Sequence, residues 1–323
     1  MRLFVTGAAG FIGSNYVRHV LNNTDDSVTV FDALTYAGNR ETLRDLEQNP
    51  RFSFVLGDIG DRSVVPSAMD GHDAVVHFAA ESHVDRSIVD PDAFVRTNVL
   101  GTNVLCDVAR QVGVDRFLHI STDEVYGSID EGSFGETDPL GPRSPYSASK
   151  AGSDLVALSY LTTYGLPVLV TRCSNNFGPW QFPEKVIPLF TTNLLDGKKV
   201  PLYGDGGNVR DWIHVEDHNR AADLVLRSGE IGEIYNIGAG MELTNRELTH
   251  RLVELCGRDE SYIEPVADRL GHDRRYSVTT DKISGLGWTL SRTFEDSLID
   301  TVDWYRDNRW WWEPLKRSLV APS

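Results

Sequence analysis

The residues with the clearest potential for chemistry are Tyr146 and Lys150, which stand four positions apart. On a helix, side chains at this spacing project from one face, one turn apart. A free phenol has a pKa of about 10 and is a poor base at neutral pH, but a neighbouring ammonium group stabilises the phenolate and lowers that pKa. The pair is therefore suited to take a proton from a sugar or alcohol hydroxyl.

Three further polar residues, Thr122, Asp123 and Glu124, precede this pair and follow the apolar segment 117–120. The segment predicts a buried parallel strand, and open α/β sheets bind their ligands at the carboxyl ends of strands. Adjacent carboxyl groups in a partly dry site resist double ionisation, which favours one acid and one base. We therefore place all five residues in one catalytic site. The alternative is a strand-end turn in which the acids are solvated and Lys150 is a surface charge.

A glycine turn at Gly7, Gly10 and Gly13 follows a short apolar strand at the N-terminus and leads into a helical pattern. Such a turn lets backbone N–H groups approach a pyrophosphate, although this spacing differs from the usual dinucleotide pattern and a merely glycine-rich loop is the alternative. The next strand, 28–32, ends at Asp32, about 20 residues further on. Its carboxylate can accept hydrogen bonds from ribose hydroxyls and would repel a 2′-phosphate. The sequence therefore favours NAD over NADP.

The order of strand and helix patterns predicts an α/β fold with a Rossmann-type doubly wound parallel sheet and a smaller C-terminal α/β substrate domain. The patterns alternate to about Asn176, after which Pro, Gly and aromatic residues become frequent. We place the NAD-binding domain at residues 1–177, with 211–238 returning to it, and a mainly substrate-binding domain at 178–323.

Composition narrows the class of protein further. A net charge of −16 over 323 residues argues against nucleic acid or an anionic membrane as a partner. Three widely spaced cysteines, Cys106, Cys173 and Cys256, indicate reduced thiols in a cytoplasmic enzyme without a disulfide framework or a metal site. The helices near 98–112 and 146–163 carry apolar residues on more than one stripe, which predicts a homodimer or extra packing within the chain.

These motifs resemble those of the extended short-chain dehydrogenase/reductase family over nearly the whole chain. The resemblance is carried by the glycine turn, 32–36, 80–87, 122–124, Tyr146 with Lys150, 175–176, 210–212 and 271–275. The glycine turn and the Tyr/Lys pair identify the family. Adjacent Asp and Glu after Thr122 are the more specific feature, because the family's epimerases and decarboxylases do not usually carry them.

The resemblance implies a lyase that uses NAD to remove water from a nucleotide-diphosphate sugar of the thymidine-diphosphate glucose type. Tyr146, helped by Lys150, would take the C4 hydroxyl proton as hydride passes to NAD. Glu124 would take the C5 proton, Asp123 would protonate the departing C6 hydroxyl, and hydride would return to C6. A related NAD-dependent dehydratase or 4-epimerase on another nucleotide sugar is the nearest alternative, and an inactive NAD-sensing scaffold is a more distant one.

The motifs and the resemblance together predict two sets of contacts. The cofactor set is Gly7, Gly10, Phe11, Ile12, Gly13, Asp32, Ala33, Leu34, Thr35, Asp58, Ile59, Phe78, Ala79, Ala80, Ser82, Thr97, Tyr146, Lys150 and Asn176. The substrate set is Ser82, Thr122, Asn175, Lys185, Val186, Pro201, Tyr203, Arg210, Asn245, Arg269, His272 and Tyr276. Leu270 stands where the family usually has proline, which keeps Arg269 and His272 in place but predicts a less stiff loop.

Overall fold

The computed structural model describes residues 1–268 and 273–320, with side chains described as far as residue 317. Arg269, Leu270 and His272 therefore lie outside the described residues. The strands are β1 (Arg2–Thr6), β2 (Ser27–Asp32), β3 (Phe52–Leu56), β4 (Ala74–His77), β5 (Arg116–Thr122), β6 (Val168–Cys173), β7 (Asn175–Phe177), β8 (Val200–Tyr203), β9 (Val209–His214), β10 (Ile234–Ile237), β11 (Glu242–Thr244) and β12 (Ile263–Val266).

The α-helices alternate with these strands in the first half of the chain and dominate the second. They are α1 (Phe11–Asn23), α2 (Val65–Met69), α3 (Val84–Val89), α4 (Pro91–Phe94), α5 (Thr102–Val112), α6 (Pro145–Tyr164), α7 (Val186–Leu195), α8 (Val215–Ser228), α9 (Asn245–Leu255), α10 (Asp281–Gly285), α11 (Phe294–Asp307) and α12 (Arg309–Val320). A π-helical segment, Val95–Gly101, leads into α5, and short 3-10 turns cover Arg40–Leu46, Asp123–Val125 and Glu260–Tyr262.

Seven parallel strands form the main sheet in the order β10, β6, β5, β4, β1, β2, β3. Side chains alternate across it, so that Leu3 and Val5 pack into a core on the side of α1 and α8 while Phe4 packs into a core on the other side with residues of α5. Burial on both faces explains why these strands are continuous apolar runs. The segment 234–237, for which the sequence predicts a return to the sheet, pairs with β6 as the edge strand β10.

A second, smaller sheet connects the main sheet to the C-terminal half. Strand β9 pairs in parallel with β7 and antiparallel with β11, which places Asn175 opposite Trp212 and Asn176 opposite Ile213. Strands β8 and β12 form a further parallel pair. Residues of β9, α7, α9 and α11 share a third apolar core, which includes Trp212, Phe190, Leu248 and Leu298. The boundary between residues 177 and 178 stays a prediction.

Candidate active site

The glycine turn brings the backbone of β1 against the end of β4. Gly7 has a φ of +72°, and a Cβ atom built on it would lie 2.5 Å from both Cα and N of Ala79. Such an approach leaves no room for a side chain. The turn is held by the Gly7 N–H, which donates to the Phe31 carbonyl at 3.0 Å, and α1 begins at Phe11. The first turn of α1 thus faces the ends of the central strands, where a helix N-terminus favours an anion.

Asp32 at the end of β2 is buried and held by two backbone groups. Its Oδ2 accepts from the Ala9 N–H at 2.9 Å, and its Oδ1 accepts from the Leu34 N–H at 2.8 Å. Burial raises the pKa of this carboxyl, and the two N–H groups oppose the rise. A carboxylate offers about four acceptor positions, so two remain for ribose hydroxyls. The residues present therefore fit the adenosine end of NAD.

A cleft of about 320 Å³ runs along the carboxyl ends of the strands from this turn to β6, within the ordinary range for ligand pockets, about 300–1,000 Å³. Of the predicted cofactor residues all but Leu34 line it, and the backbone of Leu34 holds Asp32. The cleft also contains the five predicted catalytic residues and, from the predicted substrate set, Ser82, Asn175 and Lys185. Their binding roles remain predictions.

Tyr146 and Lys150 lie on the first turns of α6, whose start is fixed by a capping box between Ser144 and Ser147. Both side chains are buried. The Lys150 Nζ donates to the carbonyl of Ile120 at 2.7 Å, which ties the helix to β5. The predicted juxtaposition of the two residues is therefore produced by a helix start and a strand end.

The net pKa of Tyr146 is not lowered in the protein by itself. Burial raises the pKa of the Tyr146 phenol well above its ordinary value, and the nearby charges of Glu124 and Asp123 raise it further. Burial also lowers the pKa of Lys150 to about 8, although Asp154 opposes this. The phenol therefore rests protonated in the protein by itself.

The two carboxyls of the Thr122-Asp123-Glu124 turn have different surroundings. The Thr122 hydroxyl donates to Asp123 Oδ1 at 3.2 Å and accepts from the Glu124 N–H at 3.3 Å, which fixes both residues at the end of β5. Burial, followed by the charge of Glu124, raises the pKa of Asp123 well above its ordinary value. Burial also raises the pKa of Glu124, but Arg210 and Lys185 oppose this. Asp123 is therefore disposed to stay protonated, and Glu124 is the better candidate for an ionised base.

The remaining predicted substrate residues lie on the C-terminal side. The Lys185 Nζ donates to the Ser82 carbonyl at 2.8 Å, so these two close one part of the cleft. The Arg210 guanidinium lies 4.4 Å from the centre of the Tyr276 ring and donates to the Asp273 carbonyl at 3.0 Å. Val186 begins α7, Pro201 and Tyr203 lie on β8, and Asn245 begins α9. These C-terminal residues, apart from Lys185, are not among those that line the cleft.

Sequence reasoning missed a group of side chains that line the cleft or lie beside it. The ring of Tyr36 packs edge-on against Phe182, with 5.8 Å between centroids, and the Arg86 guanidinium carbon lies 3.7 Å from the Tyr36 ring centroid. Gln181 and Glu184 line the cleft from the same segment as Phe182. Apart from Arg86 on α3, these residues belong to loops, where no periodicity signals a shared site. Only the positions of Tyr36 inside the 32–36 motif and Arg86 inside the 80–87 motif pointed toward it.

Comparison with known proteins identifies the family to which the chain belongs. The family model described as GDP-mannose 4,6 dehydratase matches residues 4–301. The chain belongs to this family. It is 58% identical over 330 residues to dTDP-glucose 4,6-dehydratase of Streptomyces antibioticus, an alignment that covers 100% of this chain and 98% of that protein.

Solved structures of family members have the same fold. DesIV, a dTDP-glucose 4,6-dehydratase of Streptomyces venezuelae solved with NAD and dTDP bound, matches with a TM-score of 0.96 and 58% identity, covering 98% of this chain and 100% of that chain. A UDP-glucose 4-epimerase of Thermus thermophilus in complex with NAD matches at a TM-score of 0.88 and 34% identity, covering 95% and 100%. The predicted Rossmann-type architecture and the predicted resemblance are confirmed.

Proposed function

We propose that the chain is an NAD-dependent lyase that converts dTDP-glucose to dTDP-4-keto-6-deoxyglucose and water. The observation that carries this proposal is the adjacent pair Asp123 and Glu124, which is fixed by Thr122 at the end of β5 beside Tyr146, with Asp123 the more strongly disposed of the two to hold its proton. An oxidoreductase needs the Tyr/Lys pair alone, whereas an elimination also needs an acid and a base. The 58% identity to a dTDP-glucose 4,6-dehydratase over the full chain supports the same reaction.

The cofactor is held by the glycine turn, by Asp32 at the adenosine ribose, and by the small residues Ala79 and Ala80, which let it lie against the backbone of β4. Relatives solved with NAD bound support this choice. NAD, when bound, accepts a hydride from C4 of the sugar and gives it back at C6. The positive charge of its oxidised ring beside Tyr146 would favour the phenolate that burial disfavours.

Tyr146 takes the proton of the C4 hydroxyl, and Lys150 supplies a fixed positive charge behind it. Thr122 hydrogen-bonds the O4 region of the sugar, since its hydroxyl lies in the catalytic turn and interacts with Tyr146. Oxidation at C4 produces a ketone that acidifies the hydrogen at C5. The chain's task in the first half-reaction is thus to remove one proton in a dry site.

Glu124 then takes the C5 proton, and Asp123 donates its proton to the C6 hydroxyl, which departs as water. The roles follow from the surroundings of the two groups, because the cationic side chains of Arg210 and Lys185 favour an ionised Glu124 while burial and the charge of Glu124 favour a protonated Asp123. Glu124 exchanges its proton with solvent and then protonates C5 when the sixth carbon is reduced. Tyr146 releases the C4 hydroxyl proton to solvent, and Asp123 regains a proton from solvent. The cofactor ends the cycle in the state in which it began.

The nucleotide-sugar substrate is held between the cleft and the C-terminal half. We assign Ser82 and Asn175 to the sugar, and Lys185, Arg210, Asn245, Arg269, His272 and Tyr276 to the nucleotide diphosphate, with Val186, Pro201 and Tyr203 alongside. The charge of Arg210 acts on both carboxyls of the catalytic turn, which supports its nearness to the substrate's reacting end. A chain of net charge −16 needs such a local positive cluster to bind a diphosphate.

Mass spectrometry of the products formed from a panel of nucleotide sugars, run in deuterated solvent, tests the proposed function. Loss of water from dTDP-glucose with one solvent deuterium at C5 is the expected result. An intact sugar with an inverted C4 centre would instead make the chain an epimerase, and turnover of another nucleotide sugar alone would overturn the substrate assignment. Absence of turnover with every sugar, despite bound NAD, would favour a scaffold.

We also propose that the chain forms a homodimer and works in the cytoplasm. Val95 and Leu100 in the π-helical segment and Leu155 on α6 are more than half exposed, and the two elements pack side by side. An apolar face of this kind on paired helices is suited to a second copy. None of the described helices is long and apolar enough to cross a membrane. Light scattering of the purified chain measures the oligomeric state, and a monomer at all concentrations would contradict the dimer.

A further inference from the structure

A group of charged side chains is buried beneath the catalytic residues, and the proposed reaction uses only one member of it. Lys150 and Asp154 follow each other at one-turn spacing on α6, with 4% and 0% of their surfaces exposed. Arg172 reaches them from β6 and is 3% exposed. Buried charges are costly unless they are paired, so this arrangement requires a reason.

Asp154 is bonded from the side of the sheet. The Nε of Arg172 donates to its Oδ2 at 2.9 Å, and a second nitrogen of Arg172 donates to the Tyr126 hydroxyl at 2.8 Å. The other carboxylate oxygen, Oδ1, lies 3.3 Å from His119 Nε2, a nitrogen that is also 3.0 Å from the Ser153 hydroxyl. The cation of Arg172 therefore bonds only one oxygen, Oδ2, of the Asp154 carboxylate.

The other titratable groups around Lys150 carry no compensating charge. Burial lowers the pKa of His77 on β4 and of His119 on β5, so both imidazoles are neutral at neutral pH. Burial raises the pKa of the Cys173 thiol on β6 to about 12, and it raises that of Tyr146, which precedes Lys150 on α6. Both groups are therefore protonated.

The two catalytic carboxyls do not supply the negative charge that would compensate Lys150. Asp123 and Glu124 stand in the 3-10 turn and act on Tyr146, where they raise the phenol pKa. Buried within the sheet and α6 there are thus two cations, Lys150 and Arg172, and one carboxylate between them. Asp154 is the group that balances Lys150.

We infer that Asp154 is a positioning residue for the reaction: it keeps Lys150 charged and held against the Ile120 carbonyl, behind Tyr146. The inference rests on the proposed function, because it assigns Asp154 a part in the proton removal at C4. Asp154 itself touches neither substrate nor cofactor, since it does not line the cleft. Its effect reaches the reaction through Lys150.

The inference predicts a change in pH dependence. Burial lowers the pKa of Lys150 to about 8, and the charge of Asp154 opposes that fall. The rate of the first hydride transfer should decrease as pH rises through the pKa of Lys150. Asp154→Asn removes the opposing charge, so Lys150 loses its proton at a lower pH. The alkaline limb, the part of the pH–rate profile in which the rate declines as pH rises, should therefore move to lower pH by about one unit or more. At a given pH on this limb, that shift is a tenfold loss of rate.

Stopped-flow absorbance of the reduced nicotinamide during the first turnover, measured across pH with holoenzyme and dTDP-glucose, provides this profile. Arg172→Met is the matched control, because it disturbs the same buried group from the other side. This substitution removes the cation that pairs with the Asp154 carboxylate, so Lys150 keeps its proton. The alkaline limb should therefore stay at the same pH or move to higher pH. A loss of packing alone would change both variants in the same direction.

Asp154→Asn leaves Arg172 unpaired and is the variant most at risk of failing to fold. The double variant Asp154→Asn/Arg172→Met removes both charges and returns the buried group to the net charge of the wild type. It lacks the carboxylate, so its alkaline limb should lie below that of Arg172→Met. Equal limbs in these two proteins, or an Asp154→Asn limb that coincides with that of the wild type, would overturn the inference. Failure of the wild type itself to reduce NAD with dTDP-glucose would instead overturn the proposed function.

Discussion

Replacement of Asp123 by Asn separates two consequences of burying this carboxyl beside that of Glu124: a loss of stability at neutral pH and the supply of an acid for catalysis. Asp123 is 3% exposed, and its Oδ2 has no hydrogen-bond partner within the described part of the chain. The folded protein holds its proton to a higher pH than the unfolded chain, in which the pKa is about 3.9. Between those two pKa values the folded state binds more protons, so stability falls as pH rises through this window.

The amide has the same shape and no charge to lose. We expect Asp123→Asn to be more stable than the wild type at neutral pH, by about 1.4 kcal/mol for each unit by which the folded pKa exceeds the unfolded one, up to the assay pH. The protonated carboxyl and the amide both leave one buried polar atom without a partner, so that cost largely cancels. As pH falls below about 4, the stabilities of the two proteins should converge, because the Asp123 carboxyl of the wild type then becomes protonated in the unfolded chain as well as in the folded protein.

The same change should remove the acid that expels the C6 hydroxyl. Loss of a general acid lowers rates by about 10²–10⁴, or roughly 3–5 kcal/mol, so product formation should fall by that factor while C4 oxidation continues. Thermal unfolding with saturating NAD at a series of pH values gives the stability, at roughly 2 °C per kcal/mol for a chain of this size. Asp130→Asn, at an exposed position soon after the catalytic turn, is the control for loss of one negative charge.

A folded Asp123→Asn variant that is less stable than the wild type at neutral pH would refute the argument about burial. A stabilised variant with undiminished product formation would keep that argument and refute the role of Asp123 as the acid.

Three further substitutions test the site. Glu124→Gln should permit oxidation at C4 but stall elimination, so the absorbance of the reduced nicotinamide persists after substrate is added; normal product formation would contradict the base assignment. Tyr146→Phe should lose about 10²–10⁴ in the first-turnover reduction of NAD, and near-normal reduction would rule out the phenol as base. Gly7→Ala combines a left-handed backbone with a Cβ 2.5 Å from Ala79 and should cost about 2–5 kcal/mol with weaker NAD binding, whereas Gly113→Ala, at a φ of +75° with no atom within 4 Å, should cost only about 1–2. Equal losses would mean that the close approach of Gly7 is unimportant.

Elements with strong local signals were predictable from the sequence. The glycine turn, Asp32 at the end of β2, and the start of α6 before Tyr146 follow from residue types at fixed spacing, and the structure has them in one cleft. Strand β7 is only three residues long and includes Asn175 and Asn176, so no alternation announces it, and its pairing with β9 depends on the whole fold.

Electrostatics were less accessible to sequence reasoning. The spacing of Tyr146 and Lys150 predicted a lowered phenol pKa, but burial and the facing carboxyls reverse the direction. The balance between Asp154 and Arg172 joins residues of α6 and β6, 18 positions apart, and a pattern search has no means of pairing them. Depth of burial is a property of the assembled molecule, so these shifts could not be read in advance.

The small sheet constrains how a substrate enters and leaves. Backbone hydrogen bonds fasten the strand of Asn175 and Asn176, which line the cleft, to the strand of Arg210 and Asp211. An opening of the cleft that separated these two strands would have to break this ladder of hydrogen bonds in every catalytic cycle. If this ladder stays intact, substrate exchange depends instead on the loop residues that line the cleft, such as Tyr36 and Phe182.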